Sequence, residues 1–289
     1  MKVNKSKRHH YIPKFLTKNF TDDEGLLYVY NKIENKIINT RQSPKAIFFE
    51  MDRNTVTFGE HVMDNLEQIY SELDSKIAID LKKVLETNKV TPEELTSITL
   101  LATQLKWRIP KIDNDFNKIK EDLTQEQLRI RINVTNENIK LNNEAIEHIE
   151  KAEIFKESKR ILLSILPLLN EHKLLEIHNN SFIQKNILFP SLIGDCPVIE
   201  RRNSDFSEIE DFIFPLSSSD TFIYKKETNK CINNFMFFIQ RDLAIINSST
   251  QYVGCKSKHH LEKIIEIYNE IKSENKLDNI NKFLFDFID

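Results

Sequence analysis

Glycine is almost missing from this chain. Gly25, Gly59, Gly194 and Gly254 are the four present among 289 residues, where an average chain carries roughly 7%. Loops that wrap phosphate in backbone N–H groups need glycines in clusters, because only glycine takes the left-handed conformations involved. A Walker A loop, a dinucleotide fingerprint and a kinase-type loop therefore cannot be written with this sequence. Collagen, glycine-rich linkers and most propeller repeats are excluded with them.

The rest of the composition fits a folded chain, with 40% hydrophobic and 29% charged residues. Its length suits one large domain or two smaller ones. The formal net charge of −3 gives no global basic field for nucleic acid, although a local patch remains open. Cys196, Cys231 and Cys255 form no CxxC pair and are odd in number, which suits a reducing cytoplasm and predicts no cysteine-based zinc site. The start, MKVNKSKRHH, has charge but no apolar stretch, so no secretory signal is expected. No run of about 18 apolar residues predicts a membrane span.

Along the chain, residues 1–8 read as a basic arm and Ile12–Phe20 as a short helix with Pro13 near its first turn. Leu26–Tyr30 and Lys36–Thr40 read as strands, and Ser43–Phe49 and Thr55–Phe58 as short extended pieces. From Gly59, the spacing of Val62, Leu66, Ile69, Leu73, Ile77, Leu81 and Val84 predicts an amphipathic helix of about 28 residues. Thr91-Pro92-Glu93-Glu94 is a helix start, and its apolar face runs to Pro110. Residues 112–166 read as helical and polar, with Asn133–Asn143 in a protruding hairpin. Pro167 ends or kinks that run. Leu174–His178, Ile187–Pro190, Pro197–Glu200, Phe212–Leu216, Thr221–Lys225 and Asn234–Phe238 are strand candidates. Phe237–Asn247 reads equally as the start of a helix. Lys258–Ser273 and Leu277–Ile288 close the chain as helices.

The resulting fold class is α+β and helix-rich. It has a small N-terminal strand element, long central helices with a polar hairpin, and a mostly antiparallel C-terminal sheet with covering helices. Residues 1–289 are expected to be one domain, with a helical subregion over 59–170 and a mixed sheet subregion over 171–289 that packs with 1–58.

The segment His9-His10-Tyr11-Ile12-Pro13-Lys14-Phe15 carries the first chemistry. In ββα-metal nucleases a strand ends in two such residues. One ligates a divalent metal and the next is the base that deprotonates the attacking water. A histidine suits the base role because its pKa lies near neutrality. A later residue must complete such a site, and His61 with Asn65, one helical turn apart, are the downstream candidates. Alternatively, His9 and His10 order the arm through hydrogen bonds to core carbonyls.

The same segment resembles the opening motif of bacterial proteins grouped as domain of unknown function 4238. Further segments resemble that family in order. They are Leu105–Pro110 with Arg108, Gly194-Asp195-Cys196-Pro197-Val198, Phe214-Pro215-Leu216-Ser217, and Ala244–Tyr252. Gly194 and Cys196 stand where the family pattern has Ser and Asn. The resemblance implies an architecture and a set of positions but no reaction. A role as a bacterial defence or toxin effector is an expectation for such families.

On this reading His10 is the base, and His9 and Asp195 are catalytic partners and candidate ligands of a divalent metal. Asp195 reads equally as an Asx-turn before a strand. Tyr11, Gln104, Arg108 and Ser217 are candidate substrate contacts. Arg108 suits a carboxylate or phosphate clamp or, alternatively, a helix C-terminal cap. Ser217 suits phosphate or, alternatively, a turn cap. Arg201 and Arg202 are weaker candidates. His259 and His260 open a helix, and His172 and His178 are expected on one face of a strand.

The expected function is a metal-dependent phosphodiesterase or nuclease. The alternatives are a non-catalytic binding module, or an enzyme acting on a small nucleotide-like phosphorylated ligand. Nucleic acid is a possible partner. Residues 112–160 are a candidate surface for a protein partner or self-association.

Overall fold

A computed structural model describes residues 7–58, 61–87, 90–133, 139–201 and 209–289. Most of the basic arm, Gly59, Arg202 and the middle of the polar stretch 133–143 lie outside these residues.

The chain opens with β1 (Arg8–His10) and α1 (Lys14–Lys18), followed by β2 (Tyr28–Asn31), β3 (Lys36–Ile37) and β4 (Phe49–Met51). Pro13 lies just before α1, at its N-cap, with extended ψ. Ile12, Leu16 and Phe20 recur every four residues and are fully buried. At about 1.5–3 kcal/mol each, they fasten the N-terminal segment to the core. β1 pairs antiparallel with β4, setting His10 opposite Phe49.

The expected 28-residue helix is shorter. β5 (Val56–Phe58) and β6 (His61–Met63) pair as antiparallel strands, and α2 then runs Asn65–Thr87. Val62 fits the helical spacing but belongs to β6, because one apolar residue satisfies either period. Ile69 was expected on the buried stripe but is exposed, and Tyr70 takes a buried place instead.

α3 (Pro92–Arg108) begins where its cap predicts. Glu94 N–H donates to Thr91 Oγ1, and Thr91 N–H donates to the Glu94 carboxylate. It ends at Arg108 because Pro110 forces Ile109 into extended backbone. α4 (Asp113–Ile119), α5 (Ile139–Lys151) and α6 (Glu153–Ile165) follow, and α6 packs along α3.

Residues 174–178 belong to a helix, α7 (Glu171–Asn180), not to a strand. The Asn170 side chain caps it by accepting from Lys173 N–H, so the helix start prevails over the short apolar run. His172 and His178 therefore do not share a strand face. β7 (Ser181–Lys185) was not anticipated, and residues 187–190 form no strand. β8 (Ile193–Gly194), β9 (Ile199–Glu200), β10 (Phe212–Pro215) and β11 (Asp220–Tyr224) follow. Then come α8 (Met236–Ser248), β12 (Tyr252–Cys255), α9 (Lys258–Ser273) and α10 (Ile280–Leu284). The helical option for 237–247 is thus the one adopted, and it removes the strand proposed over 234–238.

Two antiparallel four-stranded sheets result, in the orders β7-β11-β10-β9 and β3-β2-β12-β8. The second joins the two ends of the chain, since β2 pairs with β12. One core gathers Tyr11, Ile12, Leu16 and Phe20 with apolar residues of α2, α3, β10 and β11. Another lies among α8, α9, α10 and the sheets. No helix among the described residues is long and apolar enough to cross a membrane.

Candidate functional site

A cleft of about 740 Å³ lies between the N-terminal segment and α2. One side carries Arg8, His9, His10, Pro13, Lys14 and Phe15. The other is one face of α2 with the residue before it: Asp64, Asn65, Glu67, Gln68, Ser71, Glu72, Asp74, Ser75 and Ala78. These recur every three or four residues, as one helix face requires. Arg108, at the end of α3, also lines the cleft.

His10 is 8% exposed, and its Nε2 is buried without a hydrogen-bond partner. Burial holds its pKa down at about 4, helped by the charges of Lys14 and Arg108. Backbone hydrogen bonds from the ring to Lys45 and Arg8 oppose the shift. Near neutral pH the imidazole is uncharged, which is the form a base or a ligand-binding histidine must have.

Arg108 is 3% exposed and its Nη1 donates to both carboxylate oxygens of Asp74 at 2.9 Å. Its guanidinium carbon lies 4.4 Å from the centre of the Tyr70 ring, and its Nε is buried without a partner. Burial pushes the Asp74 carboxyl above its usual range, against the pull of Arg108. A neighbouring network fixes this end of α3. Arg53 Nε donates to the Arg108 carbonyl, and Arg53 and Arg160 both bond Asp113. Gln104 precedes Arg108 by one helical turn and is 1% exposed, with neither amide atom partnered. His10, Gln104 and Arg108 thus share an unusual property, since buried polar groups are nearly always bonded.

The remaining candidates are engaged in other ways. His9 lines the cleft, but its Nδ1 accepts from Asn54 N–H at 3.0 Å and so anchors β1. Asp195 does not line the cleft. Its carboxylate accepts from Thr250 N–H, Thr250 Oγ1, Gln251 N–H and Tyr252 N–H at 2.6–3.0 Å. It holds the start of β12, and the expected His9–Asp195 metal pair is not assembled. Among the described residues, no group of three or more His, Cys, Asp or Glu is arranged for a metal ion.

Tyr11 is a core residue whose N–H donates to the Phe48 carbonyl, not a lining residue of the cleft. Ser217 Oγ bonds the Asp220 carboxylate at 2.6 Å and caps the β10–β11 turn. Asn65 lines the cleft, but it opens α2 while His61 sits in β6, so helical spacing does not relate them. Arg201 pairs with Asp211. His259 is exposed, whereas His260 Nε2 lies 2.7 Å from the fully buried Asp242.

Sequence reading missed Asp74, Lys14 and Glu67. Asp74 had a signal, being an acid directly beside the apolar positions Leu73 and Ile77 of α2.

A family described as protein of unknown function (DUF4238) matches residues 8–285. The chain belongs to the DUF4238 family. That match covers every residue of the cleft, including the histidine pair, Asp74 and Arg108. No curated protein and no solved structure matches the chain.

Proposed function

We propose that this DUF4238 protein is a hydrolase of phosphate esters or diesters, with His10 as the general base. The observation that carries the reading is the bare, buried Nε2 of His10 in a cleft that also presents Lys14 and Arg108. The two cations suit a phosphoryl group, and the uncharged imidazole suits deprotonation of a water beside it. An anionic substrate offsets the two charges that depress His10 and so strengthens it as a base when the site is filled.

The α2 side of the cleft is acidic, with Asp64, Glu67, Glu72 and Asp74. A nucleic-acid backbone laid along that face would meet like charge at each turn. This favours a small phosphorylated ligand, with its phosphoryl group at the β1–α1 end, over a long nucleic acid.

The test is hydrolysis of p-nitrophenyl phosphate, its bis-ester and short oligonucleotides by the wild type, His10→Ala and His9→Ala. The reading expects a loss of about 100-fold or more in His10→Ala at unchanged fold, and activity on the small esters above that on oligonucleotides. Equal rates in wild type and His10→Ala overturn it.

The second reading, a non-catalytic module, is favoured by the His9–Asn54 bond, which ties the motif to the protein itself. It predicts that His9→Ala lowers stability with no reaction to lose.

A further inference from the structure

Asp74 grips Arg108 in an incomplete way. Both of its oxygens bond the single nitrogen Nη1, while Nε of the same guanidinium stays buried and unpartnered. A carboxylate or phosphate that matches the guanidinium fork spans two of its nitrogens with two parallel bonds. Arg108 is Asp74's one hydrogen-bond partner among the described residues. Both residues line the cleft with His10 and its unpartnered Nε2.

We propose that Asp74 is the resting occupant of an oxoanion site on Arg108, displaced when a tetrahedral oxoanion binds and left behind as the neutral acid. This rests on the reading of the cleft as a phosphoryl site, but it does not require hydrolysis. Oxygens of the incoming anion bond Nη1 and Nη2 together, the end of the guanidinium that Asp74 half occupies, and bring negative charge toward Lys14 on α1. Lys14 is exposed and forms no ion pair among the described residues.

The groups facing Asp74 decide its fate. Glu67 on α2 favours the neutral acid, as does burial, and Arg108 on α3 favours the carboxylate. Tyr70 on α2 is uncharged and His10 on β1 is neutral. Arg8 on β1 and Lys14 on α1 are cationic and would be shared with the anion. Once Arg108 turns to the anion, burial and two negative neighbours remain, and Asp74 takes a proton from solvent.

Sulfate is the probe, because it has the tetrahedral shape and no titratable proton near neutrality. Calorimetric titration near pH 6, in two buffers of different ionisation enthalpy, reads the protons taken up. The proposal expects about one proton per sulfate in the wild type and about none in Asp74→Asn. It also expects Asp74→Asn to bind sulfate about tenfold more tightly, since its competitor is weakened. In the wild type alone, affinity should rise by up to about tenfold per pH unit as pH falls, a test that stands if Asp74→Asn does not fold.

Absence of sulfate binding, binding without proton uptake, or weaker binding in a folded Asp74→Asn overturns the proposal. Proton-coupled sulfate binding in a protein that hydrolyses none of the esters overturns the hydrolase reading and leaves this one standing.

Discussion

Arg108 Nη1 stands 2.9 Å from both carboxylate oxygens of Asp74, at the edge of a cleft that the N-terminal histidine pair shares. A buried arginine with a half-used guanidinium and a buried histidine with an unused nitrogen are each costly to maintain. Their occurrence in one cleft is the observation on which the proposed phosphoryl site rests.

His10 makes the fold sensitive to acid. Its folded pKa, about 4, lies below the roughly 6.5 of a free imidazole. Between those values the unfolded chain holds the extra proton, so the stability is fully present above about pH 6.5 and falls as pH drops. The expected loss from this group between pH 7 and pH 5 is about 2 kcal/mol. Urea midpoints at the two pH values, in wild type and His10→Phe, check it. Identical pH dependence in both proteins contradicts it.

Gln104 carries two unpartnered amide atoms inside α3. Gln104→Leu keeps most of the volume and removes the unmet polar groups. We expect stability to rise by about 1–3 kcal/mol, read from denaturant midpoints, and a sulfate affinity changed by less than about twofold. A loss of stability would mean that the amide has partners in solution.

Asp195 holds four donors of the Thr250–Tyr252 segment. Asp195→Ala should cost about 3–5 kcal/mol, because four groups lose their acceptor at once. In whatever fraction stays folded, sulfate binding should be intact. A stable variant that loses only binding or hydrolysis would return Asp195 to the site.

Among the described glycines, Gly194 has the least room. A Cβ placed there would stand 2.0 Å from Ser249 Oγ and 3.1 Å from Ile245 Cγ2. Gly194→Ser should destabilise the chain by about 2–3 kcal/mol. Adding Ser249→Ala should recover part of that, since Ile245's carbonyl keeps its bond from Ser249 N–H. Melting temperatures of the single and double variants check the pair. An undisturbed Gly194→Ser variant contradicts the packing.

Much of this fold was legible because local signals were redundant. Thr91, Pro92 and Glu94 specify the start of α3 three ways, and Lys258–Ser273 matched α9 residue for residue. The misreadings fall where one signal stood alone. Val62 satisfied a helical period and a strand, and Leu174–His178 was too short to tell the two apart. In the site, the histidines and Arg108 were visible as reactive residue types. Asp74 offered only its place beside the apolar stripe of α2 as a signal, because a polar residue on an amphipathic helix looks solvent-facing until a partner helix is laid against it. For Ser217 the turn-capping alternative is the one the structure adopts. Asp195 bonds residues 250–252, which lie 55–57 positions along the chain, and partners that distant cannot be seen without coordinates.

The most direct test of the central claim is ¹⁵N NMR of histidine-labelled protein, following the His10 ring across pH with and without sulfate. The account predicts an unprotonated Nε2 at pH 7, an imidazole that stays neutral until pH approaches 4, and a shift of that titration to higher pH when sulfate fills the cleft. A His10 that titrates near the free-imidazole value of about 6.5, or that does not respond to sulfate, would contradict it.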